Sequence, residues 1–361
     1  MWSIFFVLPN LGLKNQFGND NIAIVPHNDS RVTNITSSNP FAKSLFKGFE
    51  DQFRRKAYPS ALLVNINSSD RIREPETIVG FRNSFALSTI IKGHEHSLTS
   101  SFVAYPLYSD YFDFYPISIS RQNDGLITNS PAGMDYNDES KKFRGQTSPS
   151  LLAPGQFFAE PDSNLFDSLQ KAWHRRFIKK RTKEWSTRAL FRSLEMAYQA
   201  STLPFENHST IYDYGVSASL WVSALEILSH PRRGQANLLS VIELLGHYQW
   251  NNRVLKKKTY KVKYRGREHK VNLPQKLYKE LYDTRNDFLH GEPVKINRLF
   301  PFKNNKLPGI TRFAPLIYKV ALLSFLKQFN KQERANDITN IARRIVNEQN
   351  FAEAFLKAKK K

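Results

Sequence analysis

Residues 214–229 limit the fold more than any other stretch of this chain. As a helix, the segment presents Leu220, Trp221, Ala224, Leu225, Ile227 and Leu228 on nearly every side, with Glu226 as its one acid. A helix without a polar face cannot lie on a surface, so neighbouring helices must enclose it. The flanking sequence supplies candidates. Leu165, Leu169, Trp173 and Phe177 form one stripe at helical spacing, and Leu190, Leu194, Ala197 and Ser201 form another. Further helical patterns cover residues 238–248, 273–290, 315–329 and 338–356. The C-terminal part therefore reads as an all-α bundle.

The N-terminal part reads differently. Short β-rich runs at Trp2–Leu8, 21–25, 61–66 and 112–120 alternate with two helical patterns. One helix is expected from Pro40, behind Asn39 as N-cap, with Phe41, Leu45, Phe49 and Phe53 recurring every four residues. The other is expected over 76–91, with Ile78, Phe81, Phe85 and Ile90 on one side. From about residue 122 the sequence is polar and rich in Pro, Gly, Ser and Asn, which suggests a long linker. The expected class is α+β: a mixed α/β module over 1–155 and a helical domain over 156–361. Trp2–Leu8 is too short for a signal sequence or a membrane span and reads as a buried strand. The protein is read as soluble and cytoplasmic, with no membrane partner.

Two N-terminal features invite functional readings that the residues do not sustain. The aromatics at 102–115 (Phe102, Tyr105, Tyr108, Tyr111, Phe112, Phe114 and Tyr115) are those of a packed sheet, and Asp110 and Asp113 would repel phosphate. His94-Glu95-His96 has no further ligands at metal-binding spacing and reads as a solvated turn after Gly93.

Charge separates the two parts. Residues 1–150 hold 15 Lys and Arg against 14 Asp and Glu, whereas residues 151–361 hold 38 against 18. That excess points to a polyanionic partner for the second part. The chain has no cysteine, which excludes disulfides, thiolate metal sites and Cys nucleophiles. The charge is densest over 253–270, with nine Lys and Arg and a single acid, Glu268. Tyr260, Val262 and Tyr264 alternate with Lys261, Lys263 and Arg265 before Gly266, the pattern of a small hairpin. Lys256, Lys257, Lys258, Lys261, Lys263, Arg265 and Arg267 are the candidate nucleic-acid contacts. Arg175, Arg176, Lys179, Lys180, Arg181 and Lys183 form a second cluster, equally readable as a basic helix end.

The helix expected at 273–290, capped by Asn272, ends in Arg285, Asn286 and His290, before Gly291 and Pro293. Its apolar stripe, Leu273, Leu277 and Leu281, places Arg285 next in phase. A core-facing guanidinium stays charged and needs a partner, and Glu226 in the apolar helix needs one too, so the two are expected to pair. Asn286 and His290, four residues apart, share a face at the helix C-terminus. A histidine beside a fixed Arg and an amide suits RNA phosphodiester cleavage. The His moves a proton to or from the 2′-hydroxyl or the leaving oxygen, the Arg stabilises the phosphorane, and no metal or cofactor is needed. Arg285 and His290 diverge on one helix, so a site completed by a second copy is expected. The alternative is a non-catalytic nucleic-acid-binding or adaptor protein in which Arg285 and Glu226 merely stitch the bundle.

Arg285-Asn286-x3-His290 resembles the Arg-x4–6-His signature of the HEPN superfamily. Together with Ser-Ala-Leu-Glu-Ile-Leu at 223–228, it is similar to the Apea-like HEPN group. The resemblance covers roughly residues 163–330. It implies a helical bundle that dimerises with both motifs in one cleft, and a metal-independent endoribonuclease of toxin or anti-phage defence systems. Such an enzyme would answer to a regulatory or antitoxin partner that the sequence does not name. The basic insertion at 253–270 departs from a minimal bundle.

Overall fold

A computed structural model describes the chain apart from residues 9–10, 51–53, 100–117, 121, 131–132, 139–144, 147–159, 180–183, 204–209, 265, 291–292, 330–347 and 359–361. The aromatic run at 102–115, Arg265, Gly291, and Lys180, Arg181 and Lys183 of the second basic cluster lie outside the described residues, wholly or for the most part. The fold is mixed α and β, and it divides into two compact units. One comprises Met1–Arg82 and Leu107–Glu160, the other Asn83–Pro106 and Pro161–Lys361.

The first unit is built on an antiparallel sheet. Its strands are β1 (Trp2–Leu8), β2 (Phe17–Gly18), β3 (Ile22–Val25), β5 (Ser60–Asn65), β6 (Ser118–Ile119), β7 (Leu126–Ser130) and β8 (Gly133–Asn137). Among the described residues they lie in the order β2-β3-β5-β1-β6-β7-β8, after short β4 (Phe49–Glu50) is set aside as the parallel partner of β9 (Gly145–Gln146). The near-continuous apolar runs of β1, β3 and β5 are buried, which is why they sit together in the sheet. Val32 of helix α1 (Ser30–Ser38) and Leu45 of α2 (Pro40–Lys47) close one core with Ile4, Val7, Val25 and Leu63.

Several expectations need correction. Helix α2 starts at Pro40 behind Asn39, whose side chain accepts from the Ala42 N–H, but it ends at Lys47 and Phe49 lies in β4. Helix α1 has few good helix formers. Asp29 starts it by capping the Arg31 N–H and pairing with the Arg31 guanidinium. The polar stretch after residue 122 contains β7 and β8, whose sequences alternate little; β7 pairs with β6 and β8 with β7, so backbone pairing rather than a side-chain pattern orders them. Helix α3 (Pro75–Thr99) runs past the expected end at 91, and its residues from Asn83 onward belong to the second unit.

In the second unit the helix Ile211–Leu228 is central, as its composition requires. It packs against Trp185–Ser201, Leu238–Gly246, Leu273–Leu289 and Ile310–Phe329, burying Trp221, Val222, Ala224, Leu225 and Leu228. Helix Ser163–Trp173 is capped by Asp162, and residues 348–356 form a further helix. A five-residue helix, Arg253–Lys257, leads into the expected hairpin of β10 (Tyr260–Tyr264) and β11 (Arg267–Val271), turning at Gly266 with φ +80°. Among the described residues no helix is long and apolar enough to cross a membrane.

Candidate active site and nucleic-acid interface

Helix Leu273–Leu289, the motif helix, is clamped where it starts. Asn272 and Gln275 form a reciprocal capping box: the Gln275 N–H donates to Asn272 Oδ1 at 3.0 Å, and the Asn272 N–H donates to Gln275 Oε1 at 2.7 Å. The Gln275 amide also donates to the Ile242 carbonyl at 2.6 Å, tying this end to helix Leu238–Gly246.

The buried stripe contains Leu273, Leu277 and Leu281, but its next member is Thr284 rather than Arg285. At about 100° per residue, Thr284 returns to within about 20° of Leu273, while Arg285 is turned away by about 120°. A spacing of four repeated three times drifts off the stripe. Thr284 tolerates full burial because its hydroxyl donates to the Glu280 carbonyl at 2.8 Å. Arg285 flanks the stripe and is half-buried. One guanidinium nitrogen, Nη2, lies 4.0 Å from Glu226 Oε2, and Nη1 donates to Asn286 Oδ1 at 3.2 Å. Its Nε is buried and has no acceptor among the described residues. Burial raises the Glu226 carboxyl above its usual range, and Arg285 at that distance offsets only part of the shift. Arg285 is therefore held by two neighbours but not saturated: one buried N–H has no acceptor among the described residues.

His290 caps the helix, and its backbone N–H donates to the Asn286 carbonyl at 2.9 Å. Its imidazole is exposed and makes no hydrogen bond or ion pair among the described residues. The structure thus brings Arg285, Asn286 and Glu226 together, while the His290 imidazole stands at the helix end, bonded to none of them. Phe288 anchors this last turn. Its ring lies flat against Gly215 of the central helix, where an added Cβ would come within 2.5 Å of the ring, and it meets Tyr212 edge-on at 6.2 Å. Gly215→Ala is expected to destabilise the protein by about 1–3 kcal/mol in denaturant unfolding. The double substitution with Phe288→Ala should cost less than the sum of the two single ones. Additive losses would show that the ring does not depend on Gly215. Beside Phe288, Tyr212 is 72%, Leu289 59% and Val216 49% exposed, an apolar surface next to His290.

The hairpin mounts its cations outward. Val262 and Val271 are buried, whereas Lys261, Lys263, Arg267 and Lys270 are exposed, as are Lys256, Lys257 and Lys258 before them. Lys261 pairs with Glu268 at 3.1 Å. Of the other basic cluster, Arg175 is bound through two hydrogen bonds to Glu184 at 2.8 and 2.9 Å, a structural role.

One ionic cluster escapes the sequence reading. His94-Glu95-His96 is not a solvated turn: it lies within α3, with His94 and Glu95 buried. The Lys319 ammonium donates to Glu95 Oε1 and to Asp162 Oδ2, the latter at 2.7 Å, and it lies 4.4 Å from the Phe351 ring centroid. Burial raises the Glu95 carboxyl to about 7, since Lys319 lowers it only in part and the Asp162 charge adds to the rise. Burial acts upward on Asp162 as well, but Lys319 and the Leu165 N–H hold it below its usual value. Burial also keeps His94 neutral, with its pKa lowered to about 3. A cleft of about 580 Å³ beside the cluster is lined by Asp167, Lys171, Tyr248, Asn251 and Glu348 among others, none of them on the motif helix. The available signal was phase: Ile91, Glu95 and Leu98 fall on one helical stripe. Among the described residues no group of three or more His, Asp or Glu could hold a metal ion.

No protein-family model, curated protein or solved structure matches this chain.

Proposed function

We propose that the second unit is an endoribonuclease that needs no metal, with Arg285, Asn286 and His290 as its reacting set and Glu226 as the positioning partner of Arg285. The observation that carries this reading is the half-buried Arg285, oriented by Glu226 and Asn286 yet retaining a buried, unpartnered N–H, on the helix that ends in an exposed histidine five residues on. In the proposed step the 2′-hydroxyl oxygen attacks the adjacent phosphorus and the bond from phosphorus to the 5′-oxygen breaks. His290 takes up the hydroxyl proton or supplies one to the leaving oxygen, and Arg285 neutralises the extra charge of the pentacovalent phosphate. The products are a 2′,3′-cyclic phosphate and a free 5′-hydroxyl.

The imidazole makes no bond to Arg285 within one chain, so the reading places His290 of one copy beside Arg285 of another. The apolar surface of Tyr212, Val216 and Leu289 offers such a contact. We extend the proposal to a toxin-like or anti-phage role, with activity held in check by a regulatory partner.

The test uses labelled RNA, purified full-length protein and excess EDTA. Cleavage yielding cyclic phosphate and 5′-hydroxyl ends, and blocked by a single 2′-deoxy substitution at the scissile position, is the expected result. Cleavage of the 2′-deoxy substrate would overturn the mechanism. RNA binding without any cleavage would favour an adaptor in which Arg285 and Glu226 are structural.

A further inference from the structure

Cations around the motif fall into two groups. On the motif helix and just beyond it they have carboxylate partners: Lys276 with Glu280 at 3.1 Å, Lys279 with Asp283 at 2.6 Å, and Arg298 with Asp287 at 2.6 Å. On the hairpin, Lys261 with Glu268 apart, and in the rest of the loop after the motif helix, most do not. Lys258, Lys263, Arg267, Lys270, Lys295, Lys303 and Lys306 are all exposed, and none forms an ion pair among the described residues. Residues 293–312 hold five Lys and Arg and no acid. Like charges gathered on neighbouring elements repel, so such clustering is unfavourable unless an anion lies across them.

The two elements are also physically joined. The Phe302 ring lies 5.7 Å from the Tyr260 ring at the root of β10, and the Lys258 ammonium is 5.4 Å from the Tyr260 centroid. The Phe302 N–H donates to Glu280 Oε2 at 2.8 Å, which fixes the same corner to the motif helix. Phe302 and Lys303 both adopt left-handed backbone, with φ 55° and 56°. Two successive residues other than glycine in that region are unfavourable, and they persist only where the surroundings hold them.

We propose that Lys303 and Lys306 continue the cationic face of the hairpin as a single track for RNA phosphates. The left-handed corner at Phe302 and Lys303 holds the loop against the hairpin and the motif helix. The track rests on the RNA reading above and gives it a direction: a strand lying on the hairpin crosses the Tyr260–Phe302 joint and continues along the loop that follows the motif helix.

The test measures binding of a fluorescein-labelled 20-nucleotide oligouridylate by anisotropy from 50 to 300 mM salt, in a His290→Gln background so that the RNA is not consumed. The variant Lys303→Asn/Lys306→Ala removes two charges, and Asn still tolerates the left-handed backbone. Loss of two phosphate contacts should flatten the plot of log affinity against log salt by about 1.4 and weaken binding roughly tenfold near 0.1 M salt. Lys303→Asn alone should remove about half of that slope, which provides a readout if the double variant fails to fold. The comparison variant neutralises Lys256, Lys257, Lys258, Lys261 and Lys263. If it weakens binding while both loop variants leave slope and affinity unchanged, the track is overturned and the RNA reading stands. If the background protein does not bind the oligonucleotide, both are overturned.

Discussion

His290→Ala is expected to lower RNA cleavage by about 10²–10⁴-fold while leaving RNA affinity within a few-fold of the parent. The side chain is exposed and free of hydrogen bonds among the described residues, so its removal should not disturb the fold. Equal melting temperatures for mutant and parent would confirm this. Arg285→Lys keeps a positive charge but loses the planar fork that contacts Asn286 and approaches Glu226, so a loss of comparable size is expected. Mixing the two inactive variants then separates a shared site from a self-contained one. If His290 of one copy works with Arg285 of another, heterodimers of His290→Ala and Arg285→Lys chains carry one unaltered Arg–His pair and regain activity. Mixtures as inactive as their components would place each pair within one chain. Full activity of His290→Ala itself would end the nuclease reading.

The other large effect is expected at Lys319. Lys319→Met leaves Glu95 and Asp162 buried without their cation, and a loss of roughly 3–5 kcal/mol in stability is expected in chemical unfolding. Glu95→Gln should behave differently. One ammonium between two carboxylates leaves a net negative charge in a dry site, and Glu95, raised to about 7, holds the proton that relieves it. Its folded value lies above the usual 4.5, so the folded state binds that proton more tightly than the unfolded chain. The stabilisation is full below the unfolded value and is lost as pH rises to about 7, an amount on the order of 3 kcal/mol. Asp162 has a lowered value, so its contribution is lost in a separate window, as pH falls below its usual 3.8. Glu95→Gln should therefore flatten the stability profile between about pH 4.5 and 7 and match or exceed the parent at pH 8. A mutant that keeps the parent's slope would assign that proton to another group.

These two sites differ in how far the sequence could reveal them, because their partners lie at different levels of organisation. The motif helix is announced locally: Asn272 caps it, Pro274 lies in its first turn, and the leucine stripe faces inward. Glu226 could be named as the partner of Arg285 because each was a charge in an apolar setting and there were few alternatives. The hairpin followed from alternation and the glycine at 266. The placement of Arg285 on the stripe itself did not survive, since small errors in phase accumulate along a helix and Thr284 takes the inward position. Glu95 was harder. Its partner Lys319 lies 224 residues away, and a Gly-His-Glu-His sequence has the polarity of a turn until that partner is known. Strands β7 and β8 posed a third difficulty: their backbones are ordered by pairing, which leaves no periodic mark in the side chains.

Gln275 and Phe288 hold the motif helix by unlike means, and local opening should reflect this. At the start, a capping box and a bond to Ile242 fasten the backbone. At the end, side chains do the holding, the Phe288 ring against Gly215 and Asp287 paired with Arg298, and His290 lies just past them. Amide protons near Leu277 and Leu281 should exchange slowly with solvent deuterium, and those of Leu289 and His290 quickly. The turn proposed to react with RNA is thus the part of the helix with most protection to gain, so slowed exchange confined to residues 286–290 on adding RNA would report an occupied site even without turnover.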